Sequence, residues 1–151
     1  MGRRFTMYKF RTMVADAENL KADLNHLSHH DAGSPDFKIK KDPRTTNIGL
    51  FLRKFSLDEL PQLYNVFRGH MSLVGPRPTS FSAEKYNCHH LSRLASRPGL
   101  TGLWQVSGRS DVDFEGRVYL DTRYTQNQGP LQDIKILVKT PLVVLKGNGA
   151  Y

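Results

Sequence analysis

From Arg4 to Met13 apolar and polar positions alternate imperfectly, with Phe5 and Met7 on one side and Tyr8 and Phe10 breaking the pattern. That predicts a strand partly covered on both faces. Between Val14 and about His30 the spacing changes: Ala17, Leu20, Leu24 and Leu27 recur every three or four residues, and Asp16 and Glu18 sit where the dipole of a first turn favours acids. An amphipathic helix is predicted there, followed by a loop over residues 31–46 rich in turn formers and lysines. Ile48, Phe51, Leu52 and Phe55 then make a short helical stripe beside Arg53 and Lys54, expected to pack on the core. The next helix lines up Leu60, Leu63, Tyr64 and Phe67. Pro61 belongs in its first turn, because proline lacks the N–H that an interior position donates. Asp58 as N-cap puts Pro61 at N3 and satisfies this; a Ser-x-x-Glu capping box from Ser56 to Glu59 would start the helix earlier and strain Pro61 a little.

Further along, Met71 to Val74 reads as a strand entering the rigid Gly75-Pro-Arg-Pro78 segment. A helix from about Phe81 to Leu94, a strand over Leu100 to Val106, a helix opened by Asp111 and running to about Asn127, and a last helix from Leu131 to Lys146 stopped at Gly147 complete the pattern. The fold class is therefore α+β: a mostly helical single domain over residues 1–151, with amphipathic surface helices and a few short strands or a β-hairpin. No segment reaches the ~20 apolar residues of a spanning helix. Ile134 to Leu145 comes nearest, and Lys135, Lys139 and Pro141 interrupt it.

Composition changes this picture mainly through charge. Among 151 residues, 22 Lys and Arg face 14 Asp and Glu, a net charge of +8, which points to anionic partners: nucleic acid, acidic lipid headgroups or phosphorylated small molecules. One cysteine, Cys88, excludes an intramolecular disulfide. It stands beside His89 and His90, yet nothing in the sequence orients them as a nucleophile and base. His26 and His30 lie one helical turn apart without an evident third ligand, so a solvated helix end accounts for them.

The candidate chemistry lies at Asp58 and Glu59. Adjacent carboxylates can hold a divalent cation or expose a nucleophile, although helix capping alone also accounts for them. Arg53 lies just upstream, and Arg77 and Arg109 each occupy a glycine-flanked turn, where backbone can approach a ligand and a guanidinium can grip two phosphate oxygens. Together these are the parts of a diphosphate site.

Several blocks tie the parts together. Tyr8-Lys-Phe-Arg-Thr-Met13, Ile48-Gly-Leu-Phe-Leu-Arg53, Ser56-Leu-Asp-Glu-Leu-Pro-Gln-Leu63, Met71-Ser-Leu-Val-Gly-Pro-Arg-Pro78, Arg97-Pro-Gly-Leu-Thr-Gly-Leu-Trp-Gln-Val-Ser-Gly-Arg109 and Gly149-Ala-Tyr151 resemble, in order, the bacterial sugar transferases, the monotopic polyprenyl-phosphate phosphoglycosyl transferases. The resemblance implies transfer of a sugar 1-phosphate from a nucleotide diphosphate sugar to a polyprenyl phosphate, starting an exopolysaccharide or other surface glycan. It implies Asp58 as nucleophile, forming an aspartyl phosphosugar, and Glu59 as a partner holding Mg2+ or assisting proton transfer. Arg53, Arg77 and Arg109 match positions near the dyad and phosphate. It also implies a hydrophobic re-entrant helix ahead of Phe5. The chain is thus expected to be a catalytic domain shortened at its N-terminus, held peripherally or monotopically on the anionic cytoplasmic face of the bacterial inner membrane. His70 stands where the family commonly has an acid. No nucleic acid is expected as partner; the rival reading is a non-catalytic basic scaffold or nucleic-acid-binding domain, which would have no need of Asp58.

Overall fold

In the computed structural model the described residues are 4–21, 24, 39, 42–79, 87–108 and 112–147. Helix α1 (Asn47–Lys54) starts where Thr46 Oγ1 accepts the Gly49 amide at 3.0 Å. Gly49 is buried against the Thr12 backbone, and a Cβ built on it would lie 2.0 Å from the Thr12 carbonyl oxygen. This contact sets α1 against the N-terminal segment, so Gly49→Ala is expected to lower unfolding free energy by about 3 kcal/mol, read by urea titration.

The predicted stripe on α1 forms, but it does not pack on the core: Ile48 is 75% and Phe51 57% exposed. Helix α2 (Gln62–Phe67) likewise turns Leu63, Tyr64 and Phe67 outward and buries Gln62 and Asn65. The sequence pattern marks an amphipathic face without saying which medium it meets.

Two strands, β1 (Ser72–Val74) and β2 (Gly99–Thr101), pair in parallel with Ser72 opposite Gly99 and Val74 opposite Thr101. The small sheet is therefore a crossover unit and not the hairpin admitted as an alternative. Arg4 to Met13 forms no strand; its ladder is a single antiparallel bridge from Met13 to Thr45. The fully buried Asn65 holds this segment instead, accepting the Tyr8 amide at 3.2 Å and donating to the Thr6 carbonyl at 2.7 Å.

The helix predicted from Val14 shows only turns and a 3-10 segment, Asn19–Lys21, before most of its remainder passes outside the described residues. Likewise the described part of the Phe81 to Leu94 helix is 3-10, Cys88–Ala95. Leu100 to Val106 divides into β2 and helix α3 (Leu103–Ser107). Helix α4 (Phe114–Gln126) is capped by Asp113, whose carboxylate accepts the Gly116 amide at 2.9 Å; the predicted opener Asp111 lies outside the described residues.

Helix α5 (Pro130–Lys146) matches its predicted span and ends at Gly147 in the left-handed region, φ 65°. Its inner face carries Ile136, which joins Val74 and Tyr124 in the core with Leu103 and Val106 packed around them. Its other positions leave Leu131, Ile134, Val138, Leu142 and Leu145 exposed at spacings of three and four.

Candidate active site

Asp58 and Glu59 lie on a one-turn 3-10 helix, Leu57–Glu59, that precedes α2. Neither predicted cap is present. Pro61 is the residue before α2, and Ser56 makes no side-chain capping bond. Ser56 instead sits in the left-handed region at φ 54°, alone in this among the described non-glycine residues, a conformation that costs an L-residue about 1–2 kcal/mol. Spending backbone energy immediately before two carboxylates is the kind of local strain that accumulates at functional sites.

The turn is held from the N-terminal side, where the Phe10 amide donates to the Asp58 carbonyl at 2.9 Å. That register brings Lys9 alongside, with Nζ 3.1 Å from Glu59 Oε1 and 4.0 Å from Asp58 Oδ2. On the other side Arg77 forks onto Glu59: Nη1 donates to Oε2 at 2.8 Å and Nη2 donates to Oε1. Burial alone would raise the Glu59 carboxyl, but the charge and hydrogen bonds of Arg77, followed by those of Lys9, pull it down to about 2. Arg77 gains reciprocally: burial opposes its charge, and Glu59 and Asp58 more than restore it.

Asp58 is treated differently. Its side chain is buried, and burial, then the neighbouring Glu59 charge, raise its pKa against the pull of Lys9, Arg53 and Arg77. Among the described residues no side chain hydrogen-bonds its carboxylate; Lys9 at 4.0 Å is the nearest ion-pair partner. The dyad therefore consists of one clamped carboxylate and one unclamped carboxylate in the same cationic setting.

Arg53 faces this setting from α1. Its Nε donates to Thr12 Oγ1 at 2.9 Å and its Nη1 to Thr45 Oγ1 at 3.4 Å. The structure thus brings Asp58, Glu59, Arg53 and Arg77 together; Arg109 lies outside the described residues. Lys9 was missed by sequence reasoning, as were Thr12 and Thr45, because their contacts with the dyad and Arg53 join distant stretches of chain. His70 is exposed and packs its ring against Phe5 at 5.9 Å. Cys88 is exposed and free.

Beside Glu59 opens an apolar trough of about 260 Å³, walled by Leu57, Leu60, Leu73, Leu100, Leu137 and Val143. Elsewhere among the described residues His89, His90 and Glu115 cluster, with His90 Nε2 2.9 Å from Glu115 Oε1. The Asn87 amide donates to His90 Nδ1 at 3.1 Å, so in the neutral ring Nε2 carries the proton and faces Glu115. A metal at that nitrogen would displace the proton to a nitrogen already accepting one, and the cluster reads as packing between the Cys88–Ala95 segment and α4.

A carboxylate pair set among guanidinium and ammonium groups in an α+β domain is an arrangement that can handle phosphoryl charge. The chain belongs to the bacterial sugar transferase family, whose sequence model matches residues 1–147. It is 51% identical to an undecaprenyl-phosphate galactose phosphotransferase of Salmonella typhimurium, with 99% of this chain aligned to 32% of that protein. Identity is also 51% to the galactosyl transferase CpsE of Streptococcus agalactiae, over 99% of this chain and 33% of the relative. The exopolysaccharide production protein ExoY of Sinorhizobium fredii is 44% identical over 99% of this chain and 68% of its own length. The chain thus spans about a third of the length of the first two relatives. Among the described residues no helix is long and apolar enough to cross a membrane.

Proposed function

We propose that the chain transfers a sugar 1-phosphate from a nucleotide diphosphate sugar to a polyprenyl phosphate, through a covalent intermediate on Asp58. The observation that carries this reading is the asymmetry of the dyad. Glu59 is ionised and clamped by Arg77 and Lys9, whereas among the described residues no side chain hydrogen-bonds the buried Asp58 carboxylate. A carboxylate that the fold stabilises poorly is the better nucleophile.

In the first half-reaction an Asp58 oxygen attacks the sugar-bearing β-phosphorus. The bond from that phosphorus to the bridging oxygen breaks, and the nucleoside monophosphate leaves with the electron pair. In the second, a phosphate oxygen of the lipid attacks the same phosphorus, the acyl phosphate bond breaks, and Asp58 returns as a carboxylate. Arg77 and Arg53 offset the charge that accumulates on the phosphoryl oxygens, and Arg109 is proposed to join them. Two adjacent hard carboxylates with no soft donor between them fit Mg2+, which takes one or two carboxylates and completes its shell from water and phosphate. Asp58 and Glu59 would hold it, Asp58 the more readily because both Glu59 oxygens already carry cations, and the ion when bound would neutralise diphosphate charge.

A polyprenyl phosphate acceptor would require the domain to work at a bilayer. The outward Ile48, Phe51 and Phe67, near Lys54 and Arg68, support peripheral or monotopic docking on the anionic cytoplasmic face of the inner membrane. Ile48→Ser with Phe67→Ser is expected to weaken partition into phosphatidylglycerol vesicles by about tenfold or more, measured by co-sedimentation, with unchanged donor-dependent nucleotide release in detergent.

The direct test incubates the protein with nucleotide diphosphate sugars and Mg2+, with and without polyprenyl phosphate, and follows nucleoside monophosphate. Release that needs the lipid for sustained turnover but not for a first burst fits the two-step reaction. No release with any donor, in detergent or vesicles, supports the scaffold reading instead.

A further inference from the structure

Arg77 owes its aim to a backbone with few handles. Pro76 and Pro78 flank it and neither has an N–H to donate. The segment is tied upstream by the Gly75 amide to the Thr101 carbonyl at 2.9 Å and by the Gly99 amide to the Pro76 carbonyl at 2.9 Å. The tie at Arg77 comes from a side chain: Arg93 Nη2 donates to the Arg77 carbonyl at 2.9 Å. The same Nη2 lies 2.5 Å from Asp121 Oδ2 on α4, and the two side chains are 4% and 0% exposed. Burial pushes the Asp121 carboxyl up to about 7, against the pull of Arg93 and Arg117.

Contacts besides this pair also hold the Cys88–Ala95 segment, and Ser96 after it, on α4. Ser92 Oγ meets Thr122 Oγ1 at 2.7 Å, Ser96 Oγ donates to Thr125 Oγ1 at 3.0 Å, and His90 meets Glu115. What Arg93 adds is a charge-assisted bond from the interior to the one carbonyl between the two prolines.

We infer that Arg93, anchored by Asp121, is a positioning residue for Arg77, fixing the backbone from which the Arg77 guanidinium reaches Glu59 and the substrate phosphate. The inference rests on the phosphate-handling role proposed above for Arg77. Neither Arg93 nor Asp121 touches the dyad, so they act only through Arg77.

A double-mutant cycle tests this. Arg93→Met is made with Arg77 intact and in an Arg77→Ala background, and single-turnover nucleoside monophosphate release is measured at saturating donor. Loss of such a supporting contact is expected to slow release by about 10-fold or more with Arg77 present, and by less than about 2-fold once Arg77 is already Ala. Equal losses in both backgrounds, or no loss with Arg77 present, overturn the inference. If Arg93→Met does not fold, Arg93→Lys, which keeps a cation opposite Asp121 but not the planar fork, takes its place under the same criteria. A second readout is independent of catalysis: the side-chain 15N–1H signal of Arg77, restrained by its fork on Glu59, is expected to broaden or shift in the Arg93 variant and to stay put if Arg93 is merely structural. Failure of wild-type release with this signal responding as expected counts against the proposed reaction and not against the positioning role.

Discussion

Asp58→Asn is expected to reduce nucleoside monophosphate release by about 10⁴-fold or more, the scale seen when a covalent nucleophile is removed, and at the same time to make the protein more stable at neutral pH. The first half follows from the absence of any other unclamped carboxylate beside Arg77 and Arg53 among the described residues. The second follows from the sign of the pKa shift. Asp58 is raised in the folded state, by burial first and then by Glu59, so folding favours its protonated form. Its contribution to stability declines as pH rises from the unfolded value of 3.8 through the raised folded one. A neutral Asn has no charge to bury, and the penalty disappears. Thermal melting at pH 7 together with a burst assay checks both halves. An active Asp58→Asn, or an inactive one that melts lower than wild type, would sink the assignment of Asp58 as a poorly stabilised nucleophile.

Arg77→Ala is expected to lower kcat by about 10²–10³-fold, the loss typical of one oriented donor to transition-state charge. It should also reshape the acid limb of the stability curve. Glu59 is depressed to about 2 from 4.5, so its stabilisation is fully present above pH 4.5 and is lost as pH falls through about 2. Without Arg77, Lys9 is the cation left on that carboxylate among the described residues, and the loss should shrink and move toward pH 4.5. Urea titrations between pH 2 and 6 measure the shift, and curves that superimpose would show that the Arg77–Glu59 fork contributes nothing in solution. Since Arg77→Lys keeps charge without the planar fork, its activity should fall between wild type and Arg77→Ala.

How much of this was legible beforehand differs between helices and site. The stripe of α1 and the span of α5 are legible because their signals are local: periodic apolar positions in both and a terminal Gly in α5. Arg4 to Met13 misled because its aromatics alternate as a strand's would, while most of its tethers come from elsewhere, from the Asn65 side chain and the Asp58 carbonyl. The predicted strand over Leu100 to Val106 runs too far because Leu103, Trp104 and Val106 suit a strand; Gly102, buried against the Gly75 carbonyl, ends it and admits a helix. Asp58 and Glu59 were visible since they adjoin in sequence and sit beside Arg53. Lys9, Thr12 and Thr45 were not, because their meaning depends on a fold that returns the N-terminal segment to the 3-10 turn. The cap reading of the dyad failed for a related reason: Glu59 found a guanidinium, a stronger partner than the Ser56 amide it would have met in a capping box.

The exposed apolar stripe of α5 that runs from Leu131 to Leu145 carries a practical consequence for handling this domain. A stripe of that length leaves purified material colloidally unsettled in plain buffer, sticking to itself more as it is concentrated. Sizing runs should therefore show an apparent mass that climbs with loading and collapses to a single small species once a mild detergent masks the helix.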